Sequence, residues 1–258
     1  MKTIVITGVT SGIGLVTGEY LAKKGYKVYG LSRSIGSNPL ITSLVCDVSN
    51  MEQVKNAFAQ IDSPIDVIIN NAGMGISGPV EMSPQEDISK IISTNLVGVI
   101  NVCQVAIPYL RLTKGKIINI GSVAGELSIP FQTFYSMTKA AVASFSEGLN
   151  NELRPFSISV TTVMPGDTKT KFTQNRQKTN IDDEFYGLRF KRSIEKMEKD
   201  EQKGKNPLSV AKTIFHVIKR KKPPIKVVVG WEYRLIVFLK RFLPNRLVNW
   251  LIYQIYGR

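Results

Sequence analysis

Short runs rich in valine and isoleucine alternate along the chain with longer segments in which apolar residues recur at helical spacing. This pattern predicts an α/β fold, a doubly wound parallel sheet with helices on both faces. Such sheets bind ligands in the loops that follow their strands. The predicted strands lie near residues 3–7, 27–31, 42–46, 66–70, 116–120, 157–163 and 226–229. The long predicted helices lie near residues 12–24, 88–112, 132–153 and 207–219.

Composition favours a single domain spanning residues 1–258. The chain is 43% hydrophobic and has no linker-like segment or internal repeat. Cys46 and Cys103 lie in apolar stretches without metal-ligand spacing, as expected of small core residues in a reduced protein. The chain opens on a strand pattern rather than a leader, and no uncharged apolar stretch of about 18 residues stands out. We therefore expect a cytoplasmic protein that neither is secreted nor spans a membrane.

Charge is unevenly distributed along the chain. Residues 1–167 carry 12 Lys+Arg and 12 Asp+Glu, whereas residues 168–258 carry 22 and 8, which accounts for the whole net charge of +14. A basic surface suits nucleic acid, but the sequence has no recognised binding motif and no aromatic ladder among the charges. We expect no nucleic-acid partner, and an anionic membrane surface fits the last third better.

The loop after the first predicted strand has the chemistry of a phosphate site. Residues 7–14 read TGVTSGIG, with glycine at positions 8, 12 and 14. These glycines permit a tight turn, close approach of the backbone to a phosphate, and close packing of helix on sheet. The helix that follows offers free N–H groups and the positive end of its dipole to an anion. The motif therefore predicts a nucleotide-binding loop.

The next three loops have residues suited to the rest of a nucleotide, and the first of them indicates which nucleotide binds. Arg33 follows the second strand where a carboxylate would select the ribose hydroxyls of NAD(H), so the sequence favours the 2′-phosphate of NADP(H). Asp47 follows the third strand and either meets the adenine amino group or caps the next helix. The fourth strand ends in NNAG, residues 70–73, where Ala72 and Gly73 leave room for a cofactor and Asn71 bridges loops.

A tyrosine with a lysine four residues later occurs twice, in YLAKK at residues 20–24 and in YSMTK at residues 135–139. One such match is expected by chance in a lysine-rich chain, so spacing alone does not identify a proton-transfer pair. The surrounding motifs favour the second pair. Tyr20 and Lys24 lie in the helix after the phosphate loop, where packing and surface roles are expected.

The order of these motifs resembles the short-chain dehydrogenase/reductase family, in its TGxxxGxG branch. The likeness covers residues 1 to about 170 and includes TGVTSGIG, NNAG, STNLVG, NIGSVAG, YSMTK and PGDTKT. The resemblance implies a Rossmann-type domain that transfers hydride between a nicotinamide and a carbonyl or alcohol carbon. It implies a catalytic set of Asn95, Ser122, Tyr135 and Lys139 and no metal. The implied cofactor set is Gly8, Thr10, Ser11, Gly12, Ile13, Gly14, Arg33, Asp47, Val48, Asn71, Ala72, Gly73, Tyr135, Lys139, Pro165, Gly166, Thr168 and Thr170.

The resemblance also implies a role for each catalytic residue. Tyr135 would protonate the developing alkoxide, and Lys139 would lower the pKa of Tyr135 and hold the nicotinamide ribose. Ser122 would donate to the substrate oxygen, and Asn95 would hold a water of a proton relay. His216, the only histidine, has no role in this scheme and is expected to be structural.

Two regions set this chain apart from a generic member. Asp167 stands where many members have an apolar residue, which leaves the local shape of the loop and the approach of substrate open. Residues 171–205 are polar and charged, and we expect a partly helical lid over the active site. A plain solvated helix pair is the alternative.

The last segment, residues 231–258, combines bulky apolar residues at helical spacing with 5 Lys+Arg and 1 acid. Pro244 divides it into two candidate amphipathic helices. We expect them to lie on an anionic bilayer, which would make the protein peripheral to a membrane. The alternatives are that the apolar stripe packs on the domain or forms a dimer contact.

Together these features favour an NADP(H)-dependent oxidoreductase acting on a lipophilic ketone or secondary alcohol, steroid-like or a keto-lipid. This substrate class follows from resemblance to members related to hydroxysteroid dehydrogenases. The alternatives are a 3-oxoacyl-thioester reductase and a non-catalytic, membrane-associated NADP(H)-binding protein. The resemblance also implies a homodimer or homotetramer.

Overall fold

A seven-stranded parallel β-sheet forms the centre of the structure, a computed structural model in which residues 1–181 and 183–258 are described. The order of its strands is β3-β2-β1-β4-β6-β7-β9, and β5 and β8 form a separate two-stranded parallel sheet. The chain proceeds outward from β1 to β3 and then crosses back to β4, so a ligand crevice lies at the carboxyl ends of β1 and β4. The strands are β1 Thr3–Thr7, β2 Lys27–Ser32, β3 Thr42–Val45, β4 Ile65–Asn70, β5 Ile76–Ser77, β6 Lys116–Ile120, β7 Ser159–Met164, β8 Gln177–Lys178 and β9 Lys226–Val228.

Helices connect the strands and cover both faces of the sheet. The α-helices are α1 Gly12–Lys23, α2 Met51–Ala59, α3 Gln85–Ile92, α4 Gly98–Thr113, α5 Thr133–Leu153, α6 Phe172–Asn175, α7 Gly187–Gln202, α8 Pro207–Lys219, α9 Trp231–Lys240 and α10 Asn245–Tyr256. A π-helical segment, Ser93–Val97, joins α3 to α4.

The predicted fold class is confirmed, and the predicted strands of the main sheet agree with the observed bounds to within two residues. Two differences matter for the site. The predicted helix at residues 88–112 contains the π-helical segment, whose wider turn brings Asn95 into the interior. The short strands β5 and β8 were not predicted, because two-residue strands carry no periodicity.

Alternation of side chains along the strands supplies two cores. Val5 of β1 packs into the layer beneath α4 and α5, whereas Ile4 and Ile6 point to the opposite face and pack beneath α8. All five residues of β1 are buried, as expected for a central parallel strand covered on both faces.

One continuous helical stretch in the described part of the chain, Gln85–Thr113, is long and apolar enough to cross a membrane by length and composition. Its mean hydropathy reaches 1.6, so the expectation that no uncharged apolar stretch of about 18 residues stands out is wrong. Val102, Ala106 and Leu110 of this stretch are nevertheless fully buried against the sheet. A core helix has the same length and composition, so the stretch is weak evidence of a membrane span.

Both cysteines are free and buried, as predicted for core residues. Burial raises the pKa of the Cys46 thiol to about 11 and that of Cys103 to about 12. Their thiolate forms are therefore scarce at neutral pH, and neither thiol is suited to nucleophilic chemistry.

The lid expected at residues 171–205 contains α6, β8 and α7; Asp182 lies outside the described residues. The two helices expected at residues 231–258 are α9 and α10, separated at Pro244. Val248 is the buried residue of these two helices, and most of their other side chains are partly or largely exposed. The tail therefore lies against the rest of the protein without forming a core of its own.

Candidate functional site

The phosphate loop has the conformation that its glycines permit. Gly8 and Gly12 have φ angles of 71° and 56°, in the left-handed region that favours glycine. A Cβ on Gly14 would lie 2.1 Å from the carbonyl oxygen of Gly8, so α1 approaches the loop too closely for any side chain. Ser11 precedes α1 and its side chain makes no capping hydrogen bond. The N-terminal amides of α1 and the Ser11 hydroxyl are thus available to an anion.

Asn71 fastens the loop after β4 to the phosphate loop. Its side-chain amide donates to the carbonyl oxygens of Thr7 and Gly8 at 2.9 and 3.0 Å. The Thr7 hydroxyl accepts from the backbone N–H groups of Asn71 and Ala72 at 3.0 and 2.9 Å. Residues from the ends of two neighbouring strands therefore form one rigid floor in the crevice.

Arg33 and Asp47 stand where the far end of a nucleotide would lie. Arg33 is exposed after β2 and, within the described residues, makes no ion pair. Asp47 accepts hydrogen bonds from the Ser49 backbone N–H and hydroxyl at 2.9 and 2.7 Å. The suggestion that Asp47 caps the next helix is wrong: Asn50 caps α2 by accepting from the Gln53 N–H at 3.1 Å. Asp47 instead stabilises the turn at residues 47–49 through its bonds to Ser49, and it lines the cavity described below.

Tyr135 and Lys139 lie one turn apart on the buried side of α5. The ammonium nitrogen of Lys139 is 5.7 Å from the centre of the Tyr135 ring and donates to the Ile120 carbonyl oxygen at 2.8 Å. This bond ties α5 to the end of β6. The other tyrosine–lysine pair lies elsewhere: the Tyr20 ring packs edge-on against Phe215 at 5.8 Å, in agreement with a packing role.

Burial favours the neutral forms of both Tyr135 and Lys139. It raises the pKa of Tyr135 to about 12, against the lowering effects of the Ser122 hydroxyl and the Arg176 charge. It lowers the pKa of Lys139 to about 8. Lys139, which was expected to lower the pKa of Tyr135, is not among the groups that do so here; the Ser122 hydroxyl and the Arg176 charge lower it, and burial outweighs them.

Asn95 and Ser122 border the pair from two other elements. Asn95 is 1% exposed, and its side chain accepts from the Met74 N–H at 2.8 Å and donates to the Met74 carbonyl oxygen at 2.9 Å. It also donates to the Thr138 hydroxyl at 3.2 Å, next to Lys139. Ser122 lies two residues after β6, and its hydroxyl accepts from the Ala124 N–H at 3.0 Å. Asn95 therefore links the loop after β4 to α5.

The loop after β7 closes the site on the side of β6. The Pro165 carbonyl oxygen accepts from the Val123 N–H at 2.9 Å, and the Thr168 hydroxyl donates to the Gly166 carbonyl oxygen at 2.9 Å. The ring of Tyr233 from α9 lies on Gly166, where an added Cβ would be 2.3 Å from the ring. The close approach of Tyr233 attaches the C-terminal tail to this loop.

One continuous cavity of about 920 Å³ joins these features. All the predicted site residues line it except Gly14 and Asn95, which support its walls. Its lining includes the phosphate loop, Tyr135, residues of the 171–205 segment and residues of the C-terminal tail, α9 and α10. The apolar residues that the tail contributes to this lining are Ile236, Leu239, Leu243, Val248, Leu251, Ile252 and Ile255.

A buried ion pair in the lid was not anticipated from the sequence. Arg176 is 5% exposed and its guanidinium pairs with Glu201, which also accepts from the Thr173 hydroxyl at 2.6 Å. The Phe172 ring lies between this pair and Tyr135: its centre is 5.5 Å from that of the Tyr135 ring and 5.8 Å from Cζ of Arg176. The charged composition of residues 171–205 was the one signal in the sequence. The pair itself could not be predicted because 25 residues separate Arg176 from Glu201.

This fold and site define an oxidoreductase of the short-chain dehydrogenase family. A sequence model of that family, described as short chain dehydrogenase, matches residues 2–181, and the chain belongs to it. Nicotinamide cofactors are bound throughout this family.

Relatives share nearly the whole length of the chain. A 3-ketodihydrosphingosine reductase of Bacteroides thetaiotaomicron is 40% identical over 99% of this chain and 98% of its own. An NADPH-dependent 1-acyldihydroxyacetone phosphate reductase of Saccharomyces cerevisiae is 28% identical over 96% of this chain and 89% of its own. The crystal structure of a short-chain dehydrogenase from Streptomyces avermitilis has the same fold, with a TM-score of 0.83 and 23% identity over 93% of this chain and 92% of its own.

Proposed function

We propose that this protein is an NADP(H)-dependent reductase of a lipophilic ketone, specifically a long-chain keto-lipid. The observation that carries the proposal is the single cavity whose lining includes the nucleotide loops, Tyr135 and apolar side chains of α9 and α10. A nicotinamide and a long apolar substrate would both fit along it. The 40% identical 3-ketodihydrosphingosine reductase supports a keto-lipid over a steroid.

The residues present fit a nicotinamide dinucleotide. The left-handed Gly8 and Gly12 and the uncapped start of α1 would hold the pyrophosphate, and Arg33 would pair with a 2′-phosphate. Gly73 would border the nicotinamide ribose, since an added Cβ there would lie 3.6 Å from the Lys139 nitrogen. When bound, the cofactor supplies the hydride.

The protein's own groups would manage the charge that develops on the substrate oxygen. Ser122 and Tyr135 would donate hydrogen bonds to that oxygen, and Tyr135 would deliver its proton. The raised pKa of Tyr135, about 12, keeps its proton in place for reduction at neutral pH. Lys139 and Asn95 would replace that proton through the relay. The hydrogen bond from Lys139 to the Ile120 carbonyl oxygen would hold the ammonium group in place for this relay.

A substrate panel tests the activity. NADPH oxidation should be measured with a long-chain 3-keto-lipid, a ketosteroid and a 3-oxoacyl thioester. We expect kcat/KM to be highest for the keto-lipid and Tyr135→Phe to remove turnover while NADPH still binds. Faster turnover of the thioester would favour the acyl-thioester reductase, and turnover of no carbonyl would favour the non-catalytic alternative.

Cofactor preference is tested separately. Arg33→Ala should weaken NADPH binding about 10- to 100-fold, the loss expected for charge-assisted hydrogen bonds, and change NADH binding little. Lys55→Ala, at an exposed lysine of α2, is the matched control. Equal losses for the two cofactors would contradict the assignment to NADP(H).

We further propose that α9 and α10 rest on an anionic membrane surface. Trp231, Phe242 and Trp250 are 70, 71 and 55% exposed, and the exposed Arg241 and Arg246 lie beside them. Aromatic and basic side chains together suit the headgroup region of an anionic bilayer. The part of the cavity that the same helices line would then lie close to the lipid phase, and the protein would be cytoplasmic and peripheral to the membrane.

Vesicle flotation tests the membrane contact. The wild type should float with phosphatidylglycerol vesicles more than with phosphatidylcholine vesicles, and a variant with Trp231, Phe242 and Trp250 changed to serine should lose this binding. Leu112→Ser, at an exposed leucine at the end of α4, is the control. If the triple variant instead changes a dimer into a monomer by sedimentation, the surface is a dimer contact.

A further inference from the structure

Asp167 places a carboxylate without a cationic partner on the wall of the catalytic cavity. It lies two residues after Pro165, whose carbonyl oxygen bonds to the residue next to Ser122. The Tyr233 hydroxyl donates to its Oδ2 at 2.6 Å. Within the described residues no Lys, Arg or His nitrogen lies within 4 Å of this carboxylate.

Glu201, another carboxylate that lines this cavity, is in a different state. It is paired with Arg176 and hydrogen-bonded by Thr173, so its charge is already balanced. Burial raises the pKa of the Asp167 carboxyl, and the negative charge of Asp200 adds to this rise. The hydrogen bond from Tyr233 and the more distant charges of Lys196 and Arg176 offset the rise only in part. A positively charged group of a bound molecule would supply the missing compensation.

We infer, on the basis of the proposed function, that Asp167 receives the ammonium group of an amino ketone substrate and so selects long-chain amino ketones over uncharged keto-lipids. An amino ketone with its nitrogen on the carbon next to the carbonyl would present the two groups side by side. The carbonyl would face Ser122 and Tyr135, and the ammonium would face the loop after β7. The alkyl chain would extend toward the apolar side chains of α9 and α10.

The tail has a part in this arrangement because Tyr233 positions the carboxylate. Its hydroxyl donates to the Asp167 carboxylate and accepts from the Asp167 N–H at 3.1 Å, and its ring covers Gly166. Tyr233 is thus a positioning residue, whereas Asp167 determines specificity. Removing the Tyr233 hydroxyl should weaken but not abolish the preference for a charged substrate.

Three substrates of equal chain length test the inference: a 2-amino-3-ketone, its N-acetyl derivative and the ketone without nitrogen. The wild type should prefer the amine, and Asp167→Asn should lower kcat/KM for the amine about 10- to 100-fold while changing the other two less than about threefold. Tyr233→Phe should retain most of the preference. Equal losses for all three substrates would show a merely structural role for Asp167, and an amine-selective loss in Glu201→Gln alone would assign the ammonium to Glu201.

Binding to the wild type with NADP⁺ tests the inference without turnover or substitution. A long-chain 2-amino alcohol should bind about tenfold or more tightly than its N-acetyl derivative, and equal affinities would overturn the inference. If no ketone is turned over but the amine is still preferred, the proposed reductase activity fails and the ammonium site stands. Melting temperature and NADPH titration establish that Asp167→Asn is folded.

Discussion

Lys139 is buried, so its positive charge should measurably lower the free energy of unfolding near neutral pH. Burial lowers its pKa from 10.5 to about 8, which corresponds to about 3 kcal/mol at about 1.4 kcal/mol for each tenfold change in proton affinity. The folded protein loses this proton at lower pH than the unfolded chain. Between about pH 8 and pH 10.5 the unfolded chain therefore holds more protons, and stability due to this group rises with pH.

Lys139→Met removes the titration while keeping much of the apolar stem. Urea unfolding followed by circular dichroism, without cofactor, gives the free energy of unfolding at several pH values from 7 to 10. We expect the variant to be the more stable protein at pH 7, and the wild type to gain on it by up to about 3 kcal/mol as the pH rises. Taking the difference between the two proteins cancels groups that titrate in both.

Lys55→Met, at an exposed position of α2, controls for the general effect of replacing a lysine. A wild-type-minus-variant difference that stays constant within about 0.5 kcal/mol across this range would refute the reasoning. It would mean that Lys139 is solvated or compensated in the folded protein.

Three further substitutions follow from close contacts and buried charge. Gly14→Ala should lower the free energy of unfolding and abolish NADPH binding, because the added Cβ would collide with the Gly8 carbonyl oxygen. Gly148→Ala in α5 is the control: no atom lies within 4 Å of its added Cβ, so it should raise the free energy of unfolding in urea by about 0.5–1 kcal/mol. Gly166→Ala should lower the free energy of unfolding by about 1–3 kcal/mol, because the added Cβ would displace the Tyr233 ring. Adding Tyr233→Ala to the same protein should relieve that clash. If the loss caused by Gly166→Ala is the same with and without Tyr233→Ala, the contact is contradicted. Arg176→Met should lower the free energy of unfolding by about 3 kcal/mol, because it leaves the Glu201 carboxylate unpaired. The double variant with Arg176→Met and Glu201→Met should recover most of this stability. Equal losses in the single and double variants would refute this account.

Local pattern was sufficient for the fold and for much of the site. Valine and isoleucine runs predicted β1 and β6 at their observed bounds, and Pro207 marked the first residue of α8. The predicted loop residues line one cavity because parallel strands bring their carboxyl ends to one edge. The capping role considered for Asp47 failed because Asn50, three residues later, starts α2 with better geometry.

Sequence by itself determined the order of strands and helices and the candidate chemistry of the loops, since periodicity and short motifs act over a few residues. Only the tertiary structure decided what surrounds that chemistry. Packing placed Tyr233 against Asp167, 66 residues away in the chain, and paired Arg176 with Glu201. It also brought apolar residues of α9 and α10 into the lining of the cavity that contains Tyr135. It also set the pKa values of Tyr135 and Lys139, because desolvation depends on every chain segment that excludes water from them. Contacts between remote segments follow from packing, which no local pattern encodes.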